Sequence, residues 1–90
     1  MNNPNDTTSA AIRRVLKDHA RLPGDADTLD ERADLFQAGM SSHASVNVML
    51  ALEDTFDIEF PDAMLKRSVF ESIAAIEAAV SELRASEAAA

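Results

Sequence analysis

The segment GMSSHASVNVMLALEDTFDIEFPD, residues 39–62, decides the fold of this chain. Two serines, Ser41 and Ser42, stand directly in front of a run rich in apolar residues. Serine is favoured at the start of a helix because its hydroxyl accepts a hydrogen bond from a free backbone N–H. The run ends before Pro61, and the residue preceding a proline disfavours helical backbone angles. The segment therefore predicts a helix from about Ser42 to Phe56, with a serine pair at its start and an acidic exit.

Two apolar stripes run along this predicted helix. With about 100° of rotation per residue, one broad stripe faces the core and contains Ala44, Val48, Met49, Leu52 and Phe56. A second stripe, nearly opposite the first, contains His43, Val46 and Leu50, with Glu53 and Asp54 on either side. Packing needs only one stripe, so we expect the second to contact a partner, although scattered exposed apolar side chains are also ordinary on protein surfaces.

The N-terminal part of the chain has helical apolar spacing followed by a long connection. A first helix is expected to begin at Thr7 or Thr8 and to end near Ala20, with an inward stripe formed by Ile12, Val15, Leu16 and His19. Residues 23–41 then form a long connection, with one helical turn expected at residues 30–34. A loop of this length needs anchors in a compact domain, and the expected anchors are Leu29, Leu35 and Phe36.

The C-terminal part predicts two more helices. A short third helix is expected from Asp62, which can cap it, to about Arg67, with Met64 and Leu65 facing inward. A last helix is expected from about Val69 to Leu83, with an inward stripe of Phe70, Ile73, Ile76, Val80 and Leu83. Residues 1–6 are expected to be disordered and residues 85–90 to fray, because they bury nothing. The prediction is one all-α domain over residues 7–84, a bundle of four helices with a short third helix.

Composition restricts the class of protein. Ninety residues make one domain with a small core, and the absence of cysteine excludes disulfides and thiolate metal sites. The net charge is −8, and residues 33–65 contain no Lys or Arg but six carboxylates, which argues against nucleic acid and for basic protein partners. No apolar run approaches a membrane span and the polar start has no signal-peptide pattern, so we expect a cytoplasmic monomer without a membrane partner.

The same segment resembles the prosthetic-group attachment region of acyl carrier proteins, in which G-x-D-S-L precedes a helix closing with E-x-x-F-D-I-x-I-P-D. Gly39, Ser42 and Val46 match the start of that pattern, and the FDIEFPD exit at residues 56–62 matches its end. The resemblance implies a four-helix acyl-carrier-protein-like bundle with a long loop between helices 1 and 2. It also implies that Ser42 carries covalent 4′-phosphopantetheine, and that the protein is a carrier and not an enzyme.

The departures from that pattern are informative. Ser41 and His43 replace the usual aspartate and leucine around the modified serine, and Asn47 stands where a glutamate is common. The run GMSSHASV followed by DIEFPD resembles a smaller group, the bacterial carrier proteins that accept amino acids from ligases similar to seryl-tRNA synthetases. The resemblance implies a small amino acid held as a thioester. The implied partners are a phosphopantetheinyl transferase, such an amino acid:carrier protein ligase and a downstream acyl acceptor enzyme. The implied partner contacts are His43, Val46, Asn47, Leu50, Glu53 and Asp54.

Two alternatives stay open at this point. The chain could be an acyl carrier of specialised fatty-acid, lipid, polyketide or nonribosomal synthesis, or an unmodified helical module that binds a partner through the second stripe. A catalytic reading is rejected, because adjacent residues such as Ser42 and His43 project about 100° apart on a helix and make a poor nucleophile–base pair. A metal site is also rejected, since His19 and His43 lack further ligands.

Overall fold

The computed structural model describes residues 4–89, and the side chains of residues 8–85. Four α-helices follow one another, α1 (Pro4–His19), α2 (Ser42–Phe56), α3 (Arg67–Phe70) and α4 (Ile73–Ala89), with a 3₁₀ turn at Asp62–Met64 before α3. Within this described part there is no β-strand. The predicted all-α bundle with a long first loop and a short third helix is therefore confirmed.

Helix α1 packs on α2 and α4 through a stripe of buried residues. Ile12 and Leu16 are fully buried, and Val15 and Ala20 complete the stripe. His19 was expected on this stripe but is exposed, because Ala20 takes the inward position at the end of the helix. The helix also begins at Pro4 instead of Thr7 or Thr8. A proline fits the first turn of a helix, where its missing N–H would have no intrahelical partner. Of the segment expected to be disordered, residues 1–3 lie outside the described residues.

Helix α2 packs against α1 and buries most of the predicted core stripe. Ala44, Val48 and Leu52 are buried, whereas Met49 and Phe56 are only partly buried and pack against the edge of the core. Asp57 ends the helix in the left-handed conformation, and its N–H donates to the carbonyl of Glu53. Aspartate tolerates this conformation better than most residues, so the helix stops before Pro61 is reached.

The long loop is held by polar contacts as well as by apolar anchors. Leu35 is fully buried, Leu29 and Phe36 pack against the core as expected, and Ala26 and Met40 are two buried anchors that the pattern did not predict. The Arg13 guanidinium donates to the carbonyls of Ala26 and Leu29, at 2.8 and 2.7 Å. These hydrogen bonds hold the loop against α1, although the loop forms no helix or strand of its own. The expected helical turn at residues 30–34 is a hydrogen-bonded turn in which the Asp30 carboxylate accepts from the Arg32 N–H.

One ion pair joins the loop to α1. The Lys17 ammonium donates to the Asp27 carboxylate, and this hydrogen bond raises the pKa of Lys17. Both side chains are about half exposed, so the pair contributes little to stability.

The C-terminal helices differ from the predicted ones. The short third helix lies at Arg67–Phe70 and not at residues 62–67, and the Asp62 side chain makes no capping bond. The last helix begins at Ile73 instead of Val69, because Ser72 starts it and accepts from the Ala75 N–H at 3.1 Å. The long loop stabilises the break between α3 and α4, because the Leu35 N–H donates to the Glu71 carbonyl at 2.7 Å. The helix continues to Ala89, into the tail expected to fray, and residue 90 lies outside the described residues.

Candidate functional site

The two serines at the start of α2 have different roles in the structure. Ser41 is the N-cap: its backbone is extended and its Oγ accepts a hydrogen bond from the Ala44 N–H at 3.0 Å. Ser42 is the first helical residue, and its side chain is exposed. Among the residues that the structure describes, nothing hydrogen-bonds to the Ser42 hydroxyl, although its carbonyl accepts from the Ser45 hydroxyl at 2.6 Å. Capping therefore occupies Ser41 and leaves the Ser42 hydroxyl available for chemistry.

The turn before α2 places this serine pair. Gly39 has φ +125°, a conformation that side chains rarely allow, and a Cβ there would lie 2.7 Å from Cδ of Pro23. The Met40 N–H donates to the Leu35 carbonyl at 3.0 Å, and the Met40 side chain is buried. The glycine thus allows the loop to close tightly against Pro23, so that the chain enters α2 in a fixed direction.

A groove runs beside Ser42, between α2 and the segment that includes α3. It has a volume of about 430 Å³, and its lining residues are Phe36, Ser42, Ser45, Val46, Met49, Leu65, Lys66, Arg67 and Phe70. Most of this lining is apolar. The Arg67 guanidinium lies over the Phe36 ring, 4.1 Å from its centroid. The groove therefore offers an apolar surface with cationic side chains, and Ser42 is part of its lining.

The exposed stripe of α2 lies next to the groove. Val46 and Leu50 are 49% and 53% exposed, and His43, Asn47 and Asp54 are exposed as well. Leu65, expected to face inward, is 46% exposed, because its turn precedes an extended Lys66 instead of continuing into a helix. It extends the exposed apolar surface beyond α2. The sequence after Pro61 did not indicate that Leu65 is exposed, because the predicted helix would have placed its side chain toward the core.

Glu53 differs from the other predicted contact residues. It is half-buried, and its Oε2 accepts the Phe60 N–H at 2.9 Å. The Phe60 ring in turn packs edge-on against Phe70, with centroids 5.2 Å apart. The Glu53 side chain therefore fixes the exit of α2 over the core, a structural role that the sequence pattern did not reveal.

No group of His, Cys, Asp and Glu side chains within residues 8–85 could hold a metal ion. None of the helices in the described part of the chain is long and apolar enough to cross a membrane.

Comparison with known proteins defines the class. Residues 10–80 match the family model for the phosphopantetheine attachment site, which covers most of the chain. The chain belongs to this family of carrier proteins, whose prosthetic group is covalent 4′-phosphopantetheine and which do not catalyse reactions themselves.

Similar proteins occur in the bacterial genus Agrobacterium. The aminoacyl carrier protein of Agrobacterium fabrum is 52% identical over 69 residues, which are 77% of this chain and 83% of that protein. A carrier protein from Agrobacterium tumefaciens, solved in complex with an engineered Bradyrhizobium japonicum glycine:carrier protein ligase and ATP, superposes with a TM-score of 0.81 at 49% identity; 83% of this chain and 97% of that one are covered. A solution structure of an Agrobacterium tumefaciens protein superposes with a TM-score of 0.71 at 48% identity, covering 91% and 99% of the two chains.

The residues at the site fit the prosthetic group. A phosphodiester needs a hydroxyl that is exposed and not engaged by the fold, and Ser42 provides one. The adjoining groove offers positive charge and apolar contacts, which suit an arm with a phosphate at its base followed by a pair of methyl groups and an uncharged chain.

Proposed function

We propose that the protein is an aminoacyl carrier whose attachment residue is Ser42. The bound prosthetic group supplies a thiol, on which a small amino acid is held as a thioester. The observation that carries the assignment of the serine is the division between the two hydroxyls: Ser41 caps α2, whereas the Ser42 hydroxyl has no partner in the described structure. The similarity to an aminoacyl carrier protein at 52% identity supports the cargo class.

The Ser42 hydroxyl acts as the nucleophile in the attachment reaction. Its oxygen forms a bond to the phosphorus of coenzyme A that bears the pantetheine, the pyrophosphate bond breaks, and adenosine bisphosphate leaves. The hydroxyl proton passes to a base supplied by the phosphopantetheinyl transferase. Ser41 holds the first turn of α2 while this happens, because its capping bond does not involve the reacting oxygen.

The partner enzymes are expected to bind the exposed surface formed by α2 and Leu65. His43, Val46, Asn47, Leu50 and Asp54 contribute exposed side chains to it. Val46 also lines the groove beside Ser42, so an enzyme bound there would contact the attachment site directly. The relative solved in complex with a ligase supports this class of partner. The transferase, an ATP-dependent amino acid:carrier protein ligase and a downstream acceptor would use the surface in turn.

The test has two stages with separate readouts. The purified chain is incubated with coenzyme A, Mg²⁺ and a broad-specificity transferase, and its intact mass should increase by one phosphopantetheine. The product is then offered ATP, a glycine- or alanine-activating ligase of the seryl-tRNA-synthetase type and the amino acid, and should gain one aminoacyl group.

A parallel reaction with an acyl-carrier synthetase and a long fatty acid serves as the comparison. Efficient fatty acylation without aminoacylation would show an acyl carrier of lipid synthesis instead. A chain that never gains the first mass increment would be an unmodified interaction module, and the proposal would be wrong.

A further inference from the structure

The positive charge of the central chain is concentrated at the groove beside Ser42. Between residues 33 and 83, the sequence contains two cationic Lys or Arg residues, Lys66 and Arg67, and both line that groove. The sequence that precedes this pair is acidic, since residues 33–65 contain six carboxylates and no Lys or Arg. A cationic pair within an acidic region marks a place where a negative ligand group is favoured.

These two cations are not engaged by carboxylates of the protein. Within the described structure, neither forms an ion pair, and Arg67 has only the Phe36 ring as a side-chain partner. By contrast, two cations of α1 are engaged: Lys17 pairs with Asp27, and Arg13 donates to loop carbonyls. Stacking on Phe36 limits the freedom of the Arg67 side chain while its N–H groups stay available around the edge of the guanidinium plane.

We propose that Lys66 and Arg67 bind the phosphodiester that joins the prosthetic group to Ser42, and so hold the arm in the groove between encounters with enzymes. This inference rests on the proposed attachment at Ser42. Arg67 and Lys66 donate charge-assisted hydrogen bonds to the phosphodiester oxygens, which carry a permanent negative charge. Val46, Met49 and Leu65 supply apolar contacts further along the groove. Phe36 is a positioning residue, acting through Arg67.

The arm suits this groove better than an acidic segment of a partner protein does. An acidic segment would be repelled by the net charge of −8, to which the six carboxylates of residues 33–65 contribute. The phosphodiester is attached to a residue of the groove lining itself, so its effective concentration there is high and no separate binding event is required. The neutral body of the arm meets no such repulsion.

The test uses ³¹P and proton NMR of the holo protein. The phosphodiester resonance is recorded for the folded wild type and for the same protein in urea, which gives the position for an unbound arm. The variants are Lys66→Gln, Arg67→Gln and the double substitution, each checked by mass for the prosthetic group. Arg84→Gln is the matched control, because Arg84 is also exposed and also lies over an aromatic ring, that of Phe56, away from the groove. Arg67→Lys keeps the charge.

We expect the folded wild type to show a ³¹P shift displaced from the urea position, and cross-relaxation between the arm methyls and Val46 or Leu65. The double variant should lose most of both signals, each single variant part of them, Arg67→Lys less than Arg67→Gln, and Arg84→Gln none. Raising the salt concentration of the wild type should move its resonance toward the urea position. A holo protein whose resonance and cross-relaxation are the same in wild type, double variant and high salt would overturn the inference while leaving attachment at Ser42 intact. Failure of the wild type to accept the group at all would overturn both proposals.

Discussion

At the scale of the residue, a single hydrogen bond distinguishes the roles of the two adjacent serines at the start of α2. Ser41 accepts from the Ala44 N–H and so stabilises the first turn, while Ser42, one position later, directs its hydroxyl to no described partner. The two side chains are chemically identical, and their different backbone conformations decide which of them can cap the helix. The extended backbone of Ser41 suits a cap, and the helical backbone of Ser42 does not.

This difference in role between Ser41 and Ser42 can be tested by two alanine substitutions. Ser42→Ala should abolish the phosphopantetheine mass increment and leave the melting temperature nearly unchanged, because the hydroxyl has no hydrogen-bond partner among the described residues. Ser41→Ala should keep the increment and cost about 1 kcal/mol of stability through the lost cap. Intact-mass spectrometry and thermal melts measure the two effects. A peptide map that places the group on Ser41 would refute the assignment.

Gly39 gives a second prediction at this scale. Gly39→Ala should destabilise the protein by about 1–3 kcal/mol, because alanine must adopt a strained positive φ and its Cβ meets Pro23. Gly24→Ala is the control, since a Cβ there meets nothing within 4 Å. Chemical denaturation of the two variants should separate them clearly. Equal stabilities would mean that the turn before α2 relaxes without cost.

At the scale of the element, α2 serves both the core and the surface. One side buries Ala44, Val48 and Leu52, and the other exposes Val46 and Leu50. Phe56, expected to be a full member of the core, is only half-buried, and Arg84 lies over its ring at 5.7 Å. The residue with which to test core packing is therefore Leu52.

Truncation on the two sides of α2 should have opposite consequences. Leu52→Ala should cost about 2–5 kcal/mol, a large share of the roughly 5–9 kcal/mol expected for a domain of this size. Leu50→Ala should cost much less, since its side chain is already 53% exposed, yet it should slow loading by the ligase. Denaturation curves and loading rates of both variants provide the comparison. If Leu50→Ala unfolds the protein as readily as Leu52→Ala, the assignment of the faces is wrong.

At the scale of the whole molecule, charge is unevenly distributed. The net charge is −8, and residues 33–65, which include α2 and its exit, contain six carboxylates and no Lys or Arg. Such a field attracts basic partner surfaces and raises the rate of association more than the lifetime of the complex. Since Glu53 is engaged by the Phe60 N–H, the exposed Asp54 and Asp57 contribute more directly to this field.

Loading by a partner enzyme should therefore slow as salt increases, because exposed charges are screened beyond about 8 Å at physiological ionic strength. Asp54→Asn should lower the association rate and weaken its dependence on salt. Asp18→Asn, the same change at an exposed position of α1, should do neither. Stopped-flow binding at several salt concentrations checks this. An association rate indifferent to salt would argue against electrostatic attraction at this surface.

The sequence by itself determined the helical class, the helix that carries the site, its two apolar stripes and its family. These features depend on local periodicity and on residues close together in the chain, so a single segment contains them. Its resemblance to the carrier-protein pattern also favoured Ser42 over Ser41, and its apolar periodicity predicted that Val46 and Leu50 lie away from the core.

The tertiary structure decided the features that depend on distant segments. The break between α3 and α4 is fixed where the loop donates from Leu35 to the Glu71 carbonyl, and the groove exists because residues 65–70 come to lie beside α2. Glu53 has a structural role because the fold brings the Phe60 N–H within hydrogen-bonding distance of its carboxylate. Contacts between segments far apart in the chain produce no periodic pattern in the sequence. The position of Lys66 and Arg67 beside Ser42 therefore became visible only in the tertiary structure.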